Sequence, residues 1–397
     1  MKTHHKFIFQ NSKQMEALPS ESVDLVVTSP PYPMIEMWDK IFCDLSPSVG
    51  NAIDRSAGME AFESMHQQLD PVWDEVFRVL KNGRFACINI GDATRKLNGA
   101  FQLYTNHSRI ISYMQKLGFC SLPAILWRKQ TNAPTKFMGS GTLPAGAYVT
   151  LEHEYILIFR KGSKREFNKP EEKQLRRESA FFWEERNIWF SDIWFDIKGT
   201  PQELVNKDTR SRSAAYPFEL AYRLINMYSM KDDMVLDPFL GIGTTMAAAM
   251  ASGRNSIGFE IDSTLNETIQ SIPDSFINYS NDYIENRIRS HILFCAKRIQ
   301  ESDSIKYVNK HYGFPVMTDP EQELLLNALV HIKGTCENEF QVLYADEPQP
   351  MFCKDWKIEQ EKLEKNPNLA DKNNSKGERA SLRKEDVRSS QLRLFQE

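Results

Sequence analysis

The chain has 397 residues, with 49 Lys and Arg against 53 Asp and Glu and a formal net charge of −4 at pH 7. This balance excludes a global field that attracts nucleic acid, so any such contact must come from local basic patches. No stretch approaches the roughly 18 apolar residues of a membrane span, and the amino terminus lacks signal-peptide character, so we expect a cytoplasmic protein without a membrane partner. The six cysteines contain no CxxC pair, which argues against a metal site and a disulfide framework.

Apolar periodicity predicts alternating strands and helices over the first two thirds of the chain. Val23–Val27 has the continuous apolar character of a buried strand. Asp70-Pro71 predicts a helix start, and Gly83 predicts its stop. In chain order, we predict strands at 6–9, 23–27, 85–90, near 125, 155–159, 234–237 and 256–260, and helices starting at 70 and spanning 105–117, 217–228, 245–251 and 283–300. This alternation indicates an α/β fold.

A glycine-rich segment, Asp237–Thr245 (DPFLGIGTT), joins an apolar strand to an alanine-rich helix. Its two glycines let the backbone approach a ligand closely, and the helix N-terminus offers free N–H groups, so we expect a nucleotide-like ligand. Met246 stands where a GxGxxG fingerprint needs its last glycine, and a P-loop lysine is missing, which argues against NAD and ATP. Glu260 lies roughly 20 residues further on, where a carboxylate can bind ribose hydroxyls, with Asp262 as its competitor. The alternative is that the glycines only close a tight turn.

A second motif, Ser29-Pro30-Pro31-Tyr32, ends the first buried strand. Taken alone, the diproline is also typical of a rigid exit from a strand, and the tyrosine of a core. Together, however, TSPPY and DPFLGIGTT resemble the two signatures of the DNA amino-methyltransferases, a (D/N/S)PP(Y/F) loop and a DPFxGxGTT loop. The catalytic loop comes first here, as in the permuted β group of that family, and similar blocks extend from about Phe7 to Asp262.

The resemblance implies a Rossmann-like α/β fold typical of S-adenosylmethionine-dependent methyltransferases, with a mostly parallel, circularly permuted sheet. We also expect an added target-recognition region and a helical C-terminal lobe. The expected divisions are a catalytic half at 1–160, the target-recognition region at 161–212, a cofactor-binding half at 213–265, the helical lobe at 266–365 and a charged, flexible tail at 366–397.

The resemblance further implies S-adenosyl-L-methionine as methyl donor and direct transfer without a covalent enzyme intermediate. The Ser29 hydroxyl and the Pro30 carbonyl suit the acceptance of an amine's hydrogens, Pro31 stiffens the loop, and Tyr32 can stack on a base flipped out of duplex DNA. The expected cofactor-binding residues are Asn11, Asp237, Pro238, Phe239, Gly241, Gly243, Thr244, Thr245, Glu260 and Asp262. Asn11 stands where the family often has an acid.

Serine at the first loop position is the family's usual mark of N4-cytosine specificity. We therefore expect methylation of cytosine N4, with adenine N6 as the alternative. A C5-cytosine enzyme would need a Pro-Cys nucleophile, and the sequence contains none. A further alternative is a cofactor-binding DNA subunit without activity, although the intact SPPY argues against it. A third alternative is an enzyme that acts on RNA or protein. We expect the enzyme to belong to a restriction-modification system with a cognate restriction endonuclease, and we expect no stable complex between the two.

Lys161–Arg177 holds seven Lys or Arg against three Glu, an excess suited to phosphate contacts, although a solvated loop has the same composition. The aromatic stretch at 179–192 is typical of a core or, alternatively, of a surface that wedges into DNA. We expect DNA contacts from Lys161, Lys164, Arg165, Arg176, Arg177, Arg186 and Asn187, with help from the C-terminal lobe. The His153-Glu154 pair lacks the second histidine of HExxH and is expected to be structural, while Asp92 either lines the site or caps a helix.

Overall fold

The computed structural model describes residues 1–129, 139–198, 216–301, 305–353, 356–357 and 360–361. Its strands are β1 Lys2–Phe9, β2 Val23–Thr28, β3 Leu80–Ile90, β4 Ala93–Leu97, β5 Ala100–Tyr104, β6 Phe119–Arg128, β7 His153–Lys161, β8 Ile193–Trp194, β9 Met234–Asp237, β10 Asn255–Glu260, β11 Tyr307–Val308, β12 Pro315–Val316, β13 Leu329–Cys336 and β14 Glu339–Tyr344. Its α-helices are α1 Asp39–Leu45, α2 Pro47–Asp54, α3 Gly58–Val79, α4 Asn106–Lys116, α5 Pro170–Glu178, α6 Trp183–Trp189, α7 Phe218–Tyr228, α8 Thr244–Ala251, α9 Asn266–Gln270, α10 Ile272–Glu301 and α11 Pro350–Cys353.

Ten of these strands form one sheet in the order β13-β14-β1-β10-β9-β2-β3-β7-β6-β8. Five of the nine neighbouring pairs are parallel, including the central run from β1 to β3. The other four pairs are antiparallel. β2 and β9 are neighbours although β2 comes much earlier in the chain, which is the permuted order. The mixed α/β fold with a large, mostly parallel sheet is confirmed.

The central strands are covered by helices on both faces, as their apolar sequences predict. All six residues of β2 are buried. Val23 and Val26 belong to one apolar cluster, which contains Trp73 of α3. Leu25 and Val27 belong to the opposite cluster, which contains residues of α7 and α8. Val26 thus faces one core, and its neighbours Leu25 and Val27 face the other.

The helix predicted to start at Asp70-Pro71 instead begins at Gly58 and includes Pro71 in its interior. That prediction was wrong because a continuous buried face, including Met65, Leu69 and Trp73, extends through the proline. Proline removes only one helical hydrogen bond, and burial of this face offsets that loss. β3 also starts earlier than predicted, at Leu80, so Gly83 lies within a strand.

The expectation of a helical lobe at 266–365 needs correction. α9 and α10 are present, but the described part of this region also contains β11, β12, β13 and β14. β14 pairs with β1 and β13 with β14, so the region extends the main sheet. Phe340, Val342 and Tyr344 are buried at every second position of β14. Apolar residues with this spacing are the sequence signal for a strand. The tail predicted at 366–397 and residues 199–212 of the predicted recognition region lie outside the described residues.

The described part of the predicted recognition region contains α5, α6 and the short edge strand β8, which pairs with β6. Phe182, Trp189 and Trp194 are buried in the core there. No helix among the described residues is both long and apolar enough to cross a membrane.

Candidate active site

The carboxyl ends of β1, β2, β9 and β10 lie at one edge of the sheet, which we call the site edge. Asn11 and Ser29 follow β1 and β2, while Asp237 and Glu260 end β9 and β10. All four residues line one pocket. In open α/β sheets, this crevice outside the carboxyl ends of the strands is where ligands bind.

The Tyr32 hydroxyl is the centre of a hydrogen-bond network behind the catalytic loop. It lies 3.1 Å from Ser29 Oγ, donates to Glu154 Oε2 at 2.8 Å and accepts from Asn89 Nδ2 at 2.8 Å. The ring packs on Gly91, where a Cβ atom would lie 2.9 Å from Tyr32 Cε2. Burial and the nearby Glu154 carboxylate raise the pKa of Tyr32 well above its usual value, so the hydroxyl stays protonated.

The Asp237 carboxylate holds the glycine-rich loop in place. Oδ1 accepts from Thr28 Oγ1 at 2.6 Å and from Phe239 N at 3.0 Å. Oδ2 accepts from Thr245 Oγ1 at 2.5 Å and from the Tyr216 hydroxyl at 3.4 Å. Burial raises the pKa of Asp237, while these donors favour its charged form. Asp237 therefore links the two motifs from behind the pocket.

The two glycines of the loop face different surroundings. Both have positive φ, +55° at Gly241 and +88° at Gly243, which favours glycine at each position. A Cβ on Gly241 would meet no atom within 4 Å, and Gly241 lines the pocket. A Cβ on Gly243 would lie 2.7 Å from Ile272 Cδ1, because Gly243 packs against the following helices. Only Gly241 offers its backbone to a ligand.

Glu260 closes the pocket beside Gly241. Its Oε2 accepts from Gly241 N at 2.7 Å and its Oε1 from Asp262 N at 2.8 Å. Burial raises the pKa of Glu260. Asn11 Oδ1 accepts from Lys13 N at 3.0 Å, and Asp262 Oδ1 accepts from Thr264 N at 3.0 Å. A carboxylate at this point, beside an exposed glycine backbone and apolar walls, fits the ribose and adenine of a nucleoside.

Most residues predicted for the cofactor lie around this pocket: Asn11, Asp237, Pro238, Phe239, Gly241, Thr244, Glu260 and Asp262. Gly243 and Thr245 do not line it, which corrects their assignment to ligand contact. Gly243 is the N-cap residue that precedes α8, and the buried Thr245 hydroxyl bonds to Asp237 and to Val27 O. The catalytic-loop residues Ser29, Pro30, Pro31 and Tyr32 all line the pocket.

Several site residues were missed from the sequence. Tyr216 lines the pocket and bonds to Thr245, and its position before α7 carries no motif that would indicate this role. An apolar wall comes from Trp38, Phe42, Leu69 and Val72 on the helices that follow the catalytic loop. Asp92 caps α4, accepting from His107 N at 3.2 Å, as one of its two predicted roles requires.

The predicted basic stretch begins at the sheet edge opposite the site. β7 is antiparallel to β3, with Ile90 paired to Tyr155 and Phe85 to Arg160, so Lys161 lies roughly 26 Å from the site-edge end of its strand. Lys161 Nζ donates to Leu80 O at 2.8 Å. Arg165 pairs with Asp233 at 2.7 Å, just before β9, and Lys164 packs against Gly83. These three residues are not brought to the catalytic loop, because the direction of β7 carries them away.

The remaining predicted DNA contacts lie on α5 and α6. Arg176 stacks over Phe167 at 4.2 Å, and Arg177 pairs with Asp319 at 2.8 Å. Arg186 lies over Phe190 at 5.7 Å, while Asn187 is exposed. None of these four residues lines the pocket. Their contacts with DNA stay a prediction.

Comparisons with known proteins agree with this geometry. The N6_N4_Mtase family of DNA methylases matches residues 23–271. The chain is 52% identical over 347 residues to the type II methyltransferase M.MthZI of Methanothermobacter thermautotrophicus, covering 87% of this chain and 96% of the relative. It is also 52% identical over 279 residues to the type II methyltransferase M.MjaI of Methanocaldococcus jannaschii, covering 68% and 90%.

Among solved structures, the chain is similar to TTHA0409, a putative DNA modification methylase from Thermus thermophilus, in complex with S-adenosyl-L-methionine. The two chains are 31% identical, with a TM-score of 0.53, over 69% of this chain and 93% of that one. The family match covers more than half of the chain, and the first relative is matched over nearly its whole length. The chain therefore belongs to the N6_N4_Mtase family of DNA methylases, which are S-adenosylmethionine-dependent amino-methyltransferases.

Proposed function

We propose that this protein transfers a methyl group from S-adenosyl-L-methionine to the exocyclic N4 of a cytosine within a specific duplex DNA sequence. The observation that carries the proposal is the position of Ser29. Ser29 lines the same pocket as Gly241 and Glu260. It follows β2, which is the neighbour of β9, the strand that precedes Gly241. In the family that the sequence resembles, serine at the first position of this loop usually accompanies specificity for cytosine N4.

The residues around Glu260 suit the donor. Its carboxylate is positioned for the ribose hydroxyls, and Gly241 presents backbone without a side chain. Phe239 and Leu69 provide apolar surface for the adenine. The bound donor supplies an electrophilic sulfonium methyl group.

The residues of the catalytic loop prepare the amine. An exocyclic amine is a weak nucleophile because its lone pair is delocalised into the ring. Ser29 Oγ and Pro30 O can accept its two hydrogens and favour a pyramidal nitrogen, which frees the lone pair for attack. Pro31 restricts the loop, and the Tyr32 hydroxyl is held by Glu154 and Asn89. Because the pocket lies at the end of the sheet, the target base must leave the duplex to reach it.

Direct transfer agrees with the composition of the pocket. No described residue that lines it is a cysteine. Cys87 is buried within β3, and burial raises the pKa of its thiol. An attack on C6 of cytosine by a thiolate, which C5 methylation requires, therefore has no candidate nucleophile among the described pocket residues.

The test identifies the methylated nucleoside. DNA methylated by the pure enzyme is digested and its nucleosides are compared with standards by mass spectrometry. We expect N4-methylcytosine. Detection of N6-methyladenine would show that the target base is adenine and would leave the amino-methyltransferase activity in place. Detection of 5-methylcytosine would overturn the direct transfer to an amine. Ser29→Ala should lower the rate of methyl transfer and leave cofactor affinity nearly unchanged, because Ser29 is assigned to the base.

We also propose that the protein is the modification enzyme of a restriction-modification system acting on cytoplasmic DNA. The two similar relatives are named type II methyltransferases. The target sequence is found by sequencing the DNA of a host that expresses the protein, with detection of modified bases. Methylation at a single short motif supports the proposal, and methylation without sequence preference contradicts it.

A further inference from the structure

A connected set of hydrogen bonds leads from the catalytic loop to the surface. Ser29 Oγ lies 3.1 Å from Tyr32 Oη, and Tyr32 Oη donates to Glu154 Oε2 at 2.8 Å. Glu154 Oε1 accepts from Lys129 Nζ at 2.9 Å. The exposed fraction of the side chain rises from 12% at Glu154 to 45% at Lys129. The set therefore starts in the pocket and ends at solvent.

The reaction releases a proton that such a route can carry. Attack of a neutral amine on the sulfonium methyl forms a C–N bond, breaks the S–CH₃ bond and leaves the methylated nitrogen with a positive charge and one proton too many. That proton must leave for the product to be neutral. In the proposed arrangement, Ser29 Oγ is one of the two acceptors facing the amine's hydrogens. A proton accepted by Ser29 can pass onward through a residue that is hydrogen-bonded to Ser29.

We propose that Ser29, Tyr32 and Glu154 form a proton relay that removes the proton of the methylated amine, with Glu154 as the final acceptor. The inference rests on the proposed amino-methyltransferase function. The N–H bond breaks as a bond to Ser29 Oγ forms, the Ser29 proton moves to Tyr32 Oη, and the Tyr32 proton moves to Glu154 Oε2. The amine becomes neutral and the carboxylate becomes a carboxylic acid, which returns its proton to water beside Lys129. Glu154 acts through the other two residues and does not touch the base.

The surroundings of Tyr32 favour the passage of a proton through its hydroxyl over the formation of a stable tyrosinate. The high pKa of Tyr32 makes its tyrosinate unfavourable, so it must give up one proton as it receives another. Asn89 Nδ2 donates to both Tyr32 Oη and Glu154 Oε2, the latter at 2.7 Å, and so fixes the two groups relative to each other. Asn89 is 2% exposed on β3. A rigid, buried amide keeps the transfer distance short.

Glu154→Gln is the main test, because glutamine keeps an oxygen that accepts from Tyr32 but cannot take up a proton. We expect the single-turnover rate of DNA methylation to fall by about 10²-fold or more, the usual contribution of general acid–base catalysis. The dissociation constants for S-adenosylmethionine and for target DNA should change by less than about twofold, since Glu154 contacts neither. Glu152→Gln is the matched control, because Glu152 lies two residues away in an exposed pair with Arg128, and it should keep the wild-type rate.

Tyr32→Phe and the double variant separate a relay from a purely structural role. Tyr32→Phe keeps the ring and removes the middle hydroxyl, so its rate should fall as far as that of Glu154→Gln. The double variant should be no slower than the slower single variant, because both changes break one pathway. In mixtures of H₂O and D₂O, the wild-type rate should show a curved proton inventory, since several protons move together, and both single variants a linear one.

Two results would overturn the relay: a Glu154→Gln variant with the wild-type rate, or additive losses in the double variant with a linear inventory in the wild type. A loss of rate matched by a similar loss of DNA or cofactor affinity would also overturn it, in favour of a structural role. The proposed function is tested separately by the wild type in the same assay. Absence of any methylated nucleoside would reject that function and the relay with it, whereas a fast Glu154→Gln variant rejects the relay alone.

Discussion

Thr28 and Asp237, which are 209 positions apart in the sequence, are joined by a hydrogen bond of 2.6 Å from Thr28 Oγ1 to Asp237 Oδ1. Thr28 is the last residue of β2, immediately before Ser29, and Asp237 is the last residue of β9, immediately before the glycine-rich loop. Both side chains are buried. This bond fixes the catalytic loop relative to the cofactor loop, so the two halves of the permuted domain form one site.

Thr28→Val should weaken both folding and cofactor binding. Valine has the shape of threonine without the donor, and loss of a hydrogen bond to a charged group costs about 1.5–3 kcal/mol. We expect a lower free energy of unfolding in urea and weaker S-adenosylmethionine binding by calorimetry. Thr3→Val is the matched control, because buried Thr3 bonds to His5 and Tyr344 far from the pocket. Equal cofactor affinity in the two folded variants would contradict the role of Thr28.

The two loop glycines provide a second test. Gly241→Ala and Gly243→Ala both place a side chain at positive φ, which costs roughly 1–2 kcal/mol of folding free energy. Only Gly241 lines the pocket, so only Gly241→Ala should also weaken S-adenosylmethionine binding at temperatures where both variants are folded. Calorimetry on the pair checks this expectation. A Gly241→Ala protein with unchanged affinity would mean that the donor binds away from this backbone.

The motifs could be predicted from the sequence because each is a contiguous string at the end of a buried strand. Their meeting at one sheet edge follows from the parallel order of β2 and β9. Glu154 could not be assigned in this way, since it lies 122 residues from Tyr32 and reaches it only through the antiparallel register of β7. The same reversal decides which end of the sheet carries the basic stretch, and an apolar run such as Tyr155–Phe159 holds no sequence signal for strand direction.

The location of the basic stretch changes which cations should bind DNA. Arg165 is paired with Asp233 at the edge opposite the site, whereas Lys40 and Lys96 are exposed on α1 and β4, which follow the carboxyl ends of β2 and β3 in the chain. The double variant Lys40→Ala/Lys96→Ala should reduce the slope of log K against log salt by about one unit for each phosphate that is no longer neutralised. Lys164→Ala/Arg165→Ala should leave that slope unchanged. If Lys164→Ala/Arg165→Ala reduced the slope and Lys40→Ala/Lys96→Ala did not, binding assays over a range of salt concentrations would support DNA contacts from Lys164 and Arg165.

Acid pH should destabilise the protein through His66, which supports the catalytic loop from behind. Its Nε2 bonds to Asn106 Oδ1 at 3.0 Å, and Asn106 Nδ2 donates to Pro33 O at 3.0 Å and to Gly91 O at 2.9 Å. Asn106 uses its amide hydrogens on these carbonyls, so its oxygen accepts the Nε2 proton, and His66 is neutral in the folded state. Burial lowers the pKa of His66 from 6.5 to about 4.

The direction of the change in stability with pH follows from the protons that the folded and unfolded proteins bind at His66. Between about pH 6.5 and pH 4, the unfolded chain takes up a proton at His66 that the folded protein does not, so stability falls as the pH falls through this range and the effect levels off below it. From pH 7 to pH 5 the loss from this residue alone is about 2 kcal/mol. His66→Gln keeps a donor toward Asn106 but does not titrate. It should be less stable than the wild type at pH 7, and the gap should narrow by about that amount at pH 5. Urea unfolding of both proteins at the two pH values measures the gap directly, and parallel losses of stability would show that His66 does not remain neutral in the folded protein.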